Sequence, residues 1–246
     1  MLDTLKSRIY QGKQYIEDVK NAQMKEQFRG FPKLDSIMGC DCEDVCPTGA
    51  LKTNPLSIDM GKCTFCGACA RACTGVSFTN GYKLASDDRE KLIITPNSEY
   101  ENYVTTAIQA RKEIKKIFGR SLKLRQVSAG GCNGCEMELN ACSNVNFDMG
   151  RYGIDFVASP RHADGIVITG PISENMAYAL ENCYKSVPDP KVVILCGACA
   201  ISGGVFAQSE QINREFLDKY SIDLYIPGCP VHPLTFINAI LGFLGR

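Results

Sequence analysis

From residue 122 onward the chain alternates two hydrophobic periods. Short apolar runs occur at LKLRQVS (122–128), GIDFVAS (153–159), GIVITG (165–170), KVVILCG (191–197) and DLYIPG (223–228). Helical patterns occur at SENMAYALENCYKS (173–186), SEQINREFLDKY (209–220) and HPLTFINAILGFL (232–244). Strand-length runs interleaved with helix-length stretches predict a parallel α/β sheet covered on both faces.

The first half reads differently. Residues 1–31 form a polar helix or arm in which Leu2, Leu5, Ile9, Ile16 and Val19 leave a thin apolar stripe. Residues 32–80 are loop-rich, with Gly, Pro and Cys at close intervals, and have little core of their own; bound metal would hold such a segment together. Residues 81–120 read as a connector with a short strand at Lys91–Ile94. Within it Tyr103, Ala107, Ile108, Arg111, Ile114 and Phe118 predict one helix with a buried face. The expected boundaries are therefore 1–31, 32–80, 81–120 and 121–246.

Charge and composition narrow the function. Lys plus Arg and Asp plus Glu both number 27, so nothing points to nucleic acid or an anionic membrane surface. No run approaches the roughly 20 apolar residues that span a bilayer, and the charged N-terminus lacks the apolar core of a signal peptide. Any membrane role would come through a partner. The 14 cysteines, without a secretion signal, point to metal ligation rather than to a disulfide scaffold.

Those cysteines fall into two groups. Ferredoxins with two clusters repeat C-x-x-C-x-x-C-x-x-x-C-P, and the fourth cysteine of each run serves the other cluster. Cys63, Cys66, Cys69 and Cys73 match one run, with Thr74 in place of proline, and Cys46-Pro47 ends another. By that exchange Cys46, Cys63, Cys66 and Cys69 complete one 4Fe–4S cluster. A second ferredoxin-type cluster would need cysteines at 36, 39, 42 and 73, where the chain has Ser36, Gly39, Cys42 and Cys73. Cys40 is one place off register, and Asp35 or Asp41 could add an oxygen ligand. An empty half whose cysteines simply pack is the competing reading, and the third cluster of the chain stays open.

The other group is Cys132, Cys135, Cys199 and Cys229, each just beyond an expected strand end. Open α/β sheets bind ligands there, so residues distant in sequence meet at one edge. Four thiolates suit zinc as well as iron, but the flanking glycines (Gly130, Gly131, Gly134, Gly197, Gly203, Gly204, Gly228) favour the close backbone approach of a 4Fe–4S cluster. Cys142, Cys183 and Cys196 are left over. Cys183 reads as a buried thiol, and Cys196 is a poorer ligand than Cys199. His162 reads as structural; His232 reads either as packing or as part of the cluster surroundings.

GCNGCEMEL (131–139), SPRHADGIVITGP (159–171), GACAISGGVF (197–206) and IPGCPVHP (226–233) together resemble the small, electron-transfer subunit of nickel–iron hydrogenases. The similarity is to the energy-converting, membrane-associated branch related to respiratory complex I. The stretch from Phe28-Arg29-Gly30-Phe31-Pro32 through Cys73 is similar to a separate ferredoxin-like subunit of the same complexes, as if two subunits were fused. The resemblance implies a flavodoxin-like, parallel-sheet small-subunit domain preceded by a small ferredoxin-like iron–sulfur domain. It implies that Cys132, Cys135, Cys199 and Cys229 bind the cluster proximal to a nickel–iron site held by a large subunit on another chain. It further implies other subunits, some in a membrane, a soluble carrier such as ferredoxin, and a cytoplasmic position at the inner face of the membrane. Glu138 matches a carboxylate of the motif, either a proton-coupled acid or an ordinary interface acid. Arg161 and His162 match an interface segment. Val231 and His232 depart from the family's proline and arginine. Complex I homologues have adjacent cysteines at the first ligand position, whereas this chain has Cys132-x-x-Cys135. Two readings remain beside a hydrogenase subunit: a complex I-like or sulfur-reducing relative without nickel, and a redox-sensing assembly protein.

Overall fold

The computed structural model describes residues 2–35, 42–110 and 112–246. A five-stranded parallel sheet dominates the C-terminal half. Its strands are β6 (Leu122–Ser128), β7 (Ile154–Phe156), β8 (Gly165–Thr169), β9 (Val192–Cys196) and β10 (Leu224–Ile226). They lie in the order β10-β9-β8-β6-β7, the flavodoxin-like arrangement of a doubly wound sheet. Register aligns the carboxyl ends: Ser128 pairs with Thr169, Thr169 with Cys196, and Cys196 with Ile226.

The central strands β8 and β9 are buried at all positions, as a sheet covered on both faces requires. Alternation sorts their side chains. Ile166, Ile168, Val193 and Leu195 enter one core; Val167, Val192, Ile194 and Cys196 enter the other. The second core is closed by α9 (Pro233–Phe243), whose turns are buried almost throughout. An all-round apolar helix is stable only when enclosed. α5 (Gly134–Ala141) packs beside α9. On the opposite face lie α6 (Glu174–Ser186), α7 (Ala198–Ser202) and α8 (Glu215–Lys219), which contribute Leu180, Ala200, Ile201 and Phe216 to the first core.

That first core does not stop at the sheet. It continues into the cysteine-rich segment through Phe31, Leu34, Ile58, Met60, Leu92 and Ile94, all nearly inaccessible to solvent. There, β1 (Pro32–Leu34) pairs antiparallel with β4 (Val76–Phe78), and β2 (Leu51–Thr53), β3 (Leu56–Asp59) and β5 (Ile93–Ile94) form a second small sheet; α2 (Ala68–Ala72) packs beside β4. A side chain at Gly61 would lie 2.8 Å from Ile201 Cγ2 of α7, so the two regions touch directly. Ser86 and Tyr225 exchange backbone hydrogen bonds across the same joint (3.0 and 2.8 Å). The segment expected to lack a core therefore shares one with the sheet.

Three sequence expectations are revised. The helix drawn through residues 103–118 is two helices, α3 (Tyr100–Thr106) and α4 (Lys112–Phe118). The Ala107 carbonyl is taken by Ser86 Oγ and the Asp87 N–H, and Asp87 Oδ2 accepts from the Gln109 N–H, so the backbone is diverted before a further turn can form. The helix expected over 209–220 shrinks to α8, because Gln211 and Ile212 bridge to Ser173–Glu174 instead. In the N-terminal arm only α1 (Leu2–Gln11) is helical and it is wholly exposed. Val19, by contrast, is fully buried, and its carbonyl accepts from Tyr82 Oη (3.0 Å) and Asn238 Nδ2 (2.7 Å).

His232 caps α9. Its Nδ1 accepts from the Leu234 N–H at 3.1 Å, and Pro233 occupies the first helical position. The ring sits between Phe28 and Phe147, with centroids 5.5 and 5.8 Å away. Burial holds its pKa below the usual imidazole value. The folded state then binds the proton less tightly than the unfolded chain, so the His232 contribution is complete above about pH 6.5 and is lost as pH falls through the lower folded value. Unfolding free energy measured by urea titration should decline on acidification below about pH 6.5. His232→Asn, which keeps a capping acceptor, should make that decline shallower.

Candidate metal centres

The aligned strand ends bring one cysteine group together. Cys132 follows β6, Cys199 lies in the first turn of α7 after β9, and Cys229 follows β10, each three or four residues past the row Ser128–Cys196–Ile226. Cys135 lies in the first turn of α5. Asn133, in left-handed backbone (φ 68°), turns the chain between Cys132 and Cys135. Cys199 lies within electrostatic reach of the other three thiols, and Cys229 within reach of Cys132 and Cys135. Cys132 and Cys229 are exposed, and Cys135 and Cys199 partly covered. Burial, then the charges of Cys229, Cys135 and Cys132, push the Cys199 thiol up to about 11. Cys135 moves the other way. The fully buried Cys196 thiol donates to its sulfur and lowers its pKa, with the Val231 N–H adding to the effect. Cys196 is thus a hydrogen-bond donor to the group.

Glycine is required where the backbone meets these sulfurs. At Gly197 (φ 97°) a Cβ would lie 2.7 Å from Cys135 Sγ, and at Gly204 (φ 56°) 2.9 Å from Cys199 Sγ. Both positions need left-handed backbone and close approach at once.

The second group is also gathered: Cys63 lies within electrostatic reach of Cys46, Cys66 and Cys69, and Cys69 within reach of Cys46 and Cys66. Burial, with the neighbouring thiols adding, pushes Cys63 up to about 12. Backbone N–H groups point at the sulfurs: Ala50 N to Cys46 Sγ at 3.2 Å and Phe65 N to Cys63 Sγ at 3.3 Å. At Cys46 burial opposes ionisation, yet the N–H groups of Thr48, Leu51 and Ala50 overcome it and lower the pKa. Both groups therefore suit a multi-iron centre. Crowded thiolates repel one another until a cation neutralises them, and N–H···S contacts are a known lever on cluster potential. Among the described residues no group of three or more Cys, His, Asp or Glu is tight enough for one metal ion. A mononuclear zinc site needs its sulfurs about 2.3 Å from one point. Thiolates of a four-iron cluster bind separate irons and stand farther apart.

Cys42 and Cys73 are joined in a disulfide and both are buried. The sequence placed both at one further cluster site or as packing thiols; the structure brings the two together, bonded to each other. Cys40, Ser36, Gly39 and Asp41 lie outside the described residues. Cys142 is buried, its Sγ 3.3 Å from the Glu138 carbonyl that accepts from it. Cys183 is only half-buried, beside Arg125. Glu138 is half-buried, and desolvation raises its carboxyl above the ordinary range. Arg161 and His162 are exposed in a short 3-10 turn.

One buried acid escaped the sequence reading. Glu136 is 5% exposed, and its Oε1 accepts from Ser128 Oγ (2.7 Å) and Thr169 Oγ1 (2.6 Å). It stands beside Cys135 and ties α5 to the ends of β6 and β8. The signal was its place directly after a ligand, in the first turn of α5.

Two regions match known families. Residues 132–243 match "NADH ubiquinone oxidoreductase, 20 Kd subunit", and residues 56–74 match the 4Fe-4S binding domain. A probable membrane-bound hydrogenase subunit, mbhJ, of Pyrococcus furiosus is 36% identical over 52% of this chain and 77% of its own length. An NADH-quinone oxidoreductase subunit of Citrifermentans bemidjiense is 38% identical over 57% of this chain and 79% of its own length. The chain belongs to the 20 kDa subunit family of NADH ubiquinone oxidoreductase. Formate hydrogenlyase subunit 7 of Escherichia coli is 40% identical over 54% of this chain and 51% of its own length. This family member is an oxidoreductase subunit that also contains an iron–sulfur binding segment. Among the described residues no helix is long and apolar enough to cross a membrane.

Gly197→Ala should lower the iron and sulfide bound after anaerobic reconstitution and destabilise the metal-free chain by about 1–3 kcal/mol. Gly12→Ala has a similarly positive φ (62°) but open space around it. It should leave bound iron unchanged, showing that positive-φ strain away from the thiols does not lower cluster loading.

Proposed function

We propose that this chain is the electron-transfer subunit of a complex I-related nickel–iron hydrogenase. The carrying observation is the first ligand pair. Cys132 and Cys135 are spaced C-x-x-C, as in hydrogenase small subunits, and Asn133 stands where complex I homologues have a second, adjacent cysteine. Cys132, Cys135, Cys199 and Cys229 would hold the 4Fe–4S cluster proximal to a nickel–iron site. Cys46, Cys63, Cys66 and Cys69 would hold a ferredoxin-type 4Fe–4S cluster. Bound clusters supply one-electron redox chemistry. This chain's residues ligate them, set their surroundings through N–H and S–H donors, and exclude water on the buried side.

Several features support a partner at the sheet edge. Met137, Val205 and Phe206 are exposed apolar residues close in sequence to Cys135 and Cys199. Together with exposed Cys132 and Cys229 they suit cover by a second chain. In this reading the partner is the large subunit, where hydrogen and protons interconvert. A soluble carrier such as ferredoxin exchanges electrons at the far cluster, and membrane subunits hold the assembly at the inner face of the membrane. The FRGFP segment belongs to the internal joint: Phe31 is buried between Tyr100 and Tyr103.

Nickel content of the complex that co-purifies anaerobically with the chain tests this reading. The expected result is about one nickel per chain together with iron and sulfide. Iron without nickel would overturn the hydrogenase assignment in favour of a quinone- or sulfur-reducing relative. Iron with no co-purifying subunit would favour a redox sensor.

A further inference from the structure

The two cysteine groups adjoin across a cleft of about 180 Å³ whose wall includes Phe28, Arg29, Phe65, Cys229, Pro230 and His232. Cys229 of one group lines this gap, and on its other side stands Phe65, the residue next to Cys66 of the other group; Cys66 and Cys229 lie within electrostatic reach. On the ferredoxin-like side the wall is built around Phe65, a buried residue in left-handed backbone (φ 52°). That conformation is uncommon for an aromatic residue and persists only when its surroundings fix it. Here the Phe65 N–H faces Cys63 Sγ at 3.3 Å, and its carbonyl accepts from Arg29 Nε at 2.5 Å. The next turn leaves room for the same side chain. A Cβ on Gly67 (φ 72°) would lie 3.0 Å from Arg29 Cδ and 3.4 Å from Nε.

We propose, resting on the two-cluster reading above, that Arg29 is the shared cation of the junction. It is a positioning residue that fixes the Cys63–Cys66 turn through the Phe65 carbonyl and raises the reduction potential of both clusters by its charge. Reduction of either cluster adds one electron to a thiolate-bound group. A fixed positive charge alongside stabilises the reduced form. Arg29 is suited to this because a guanidinium stays charged at any working pH and holds a directed hydrogen bond while doing so. Arg71 is nearby, its Nη1 donating to the Cys66 carbonyl at 3.2 Å, but it does not line the cleft toward Cys229. Arg29 is itself solvent-exposed at the rim, so screening limits the effect to a modest one.

The test is a potentiometric titration of the full chain followed by EPR, with Arg29→Gln and Arg29→Lys. Arg29→Gln should make reduction of both clusters about threefold less favourable, or about 28 mV at 59 mV per tenfold for one electron. Arg29→Lys should retain the unsubstituted values within a third of that shift. Unchanged midpoints in Arg29→Gln, a shift at only one cluster, or an equal shift in both variants would overturn the proposal, the last because it would show geometry rather than charge at work. Should Arg29→Gln lose the Cys63–Cys66 cluster, the sheet-edge cluster still reports: its midpoint must fall with Gln and hold with Lys. An unsubstituted chain showing fewer than two cluster signals would overturn the two-cluster reading itself, an outcome the variants do not mimic.

Discussion

Everything at the sheet edge depends on register. Parallel pairing places Ser128, Thr169, Cys196 and Ile226 in one row, and a slip of one residue would turn each strand's apolar set to the wrong face. With two cores claiming alternate residues of β8 and β9, that slip is strongly opposed. The loops carrying Cys132, Cys199 and Cys229 leave from the row at nearly equal distances and so converge. Glu136 adds a lock by accepting from Ser128 and Thr169 within the same row. Thiolate placement is thus a by-product of burying Val, Ile and Leu correctly, and it needs no metal to begin.

The other cysteine group depends on the first region. Its two small sheets are too short to be stable alone, yet Phe31, Ile58, Met60 and Ile94 share a core with the sheet. The cost of ordering its loops is met by burial against α7 and by strand-like bonding between Ser86 and Tyr225. A consequence is that the two thiol groups are held at a fixed separation by packed structure rather than by a flexible linker. For electron transfer within one chain, such packing fixes the two groups relative to one another.

Much of this could be read from residue types and spacing. The strand runs, the parallel sheet and the gathering of Cys132, Cys135, Cys199 and Cys229 at one edge followed from apolar runs ending just before Gly and Cys. The gathering of Cys46 with Cys63, Cys66 and Cys69 followed from the exchange of fourth ligands between ferredoxin runs. What escaped was set by long-range polar partners. Ser86 and Asp87 stop α3 at Ala107 from about 20 residues upstream, and the Ser173–Ile212 bridge shortens α8; neither has a periodic signature. Val19 is buried because Asn238 and Tyr82 hold its carbonyl, although its local sequence is polar. Glu136 was hidden by its charge, since a carboxylate is expected outside unless two hydroxyls await it. The nearness of Cys42 to Cys73 was legible, because the ferredoxin exchange pattern puts both at one site; the disulfide that joins them was not.

The central claim is that one chain holds two 4Fe–4S clusters at a fixed, short separation. EPR of the anaerobically reconstituted chain, recorded as reduction proceeds, tests it most directly. The expected result is two signals that are simple when one cluster is reduced and broaden by spin–spin interaction when both are. Two signals that remain unbroadened at full reduction, or a single signal throughout, would contradict it.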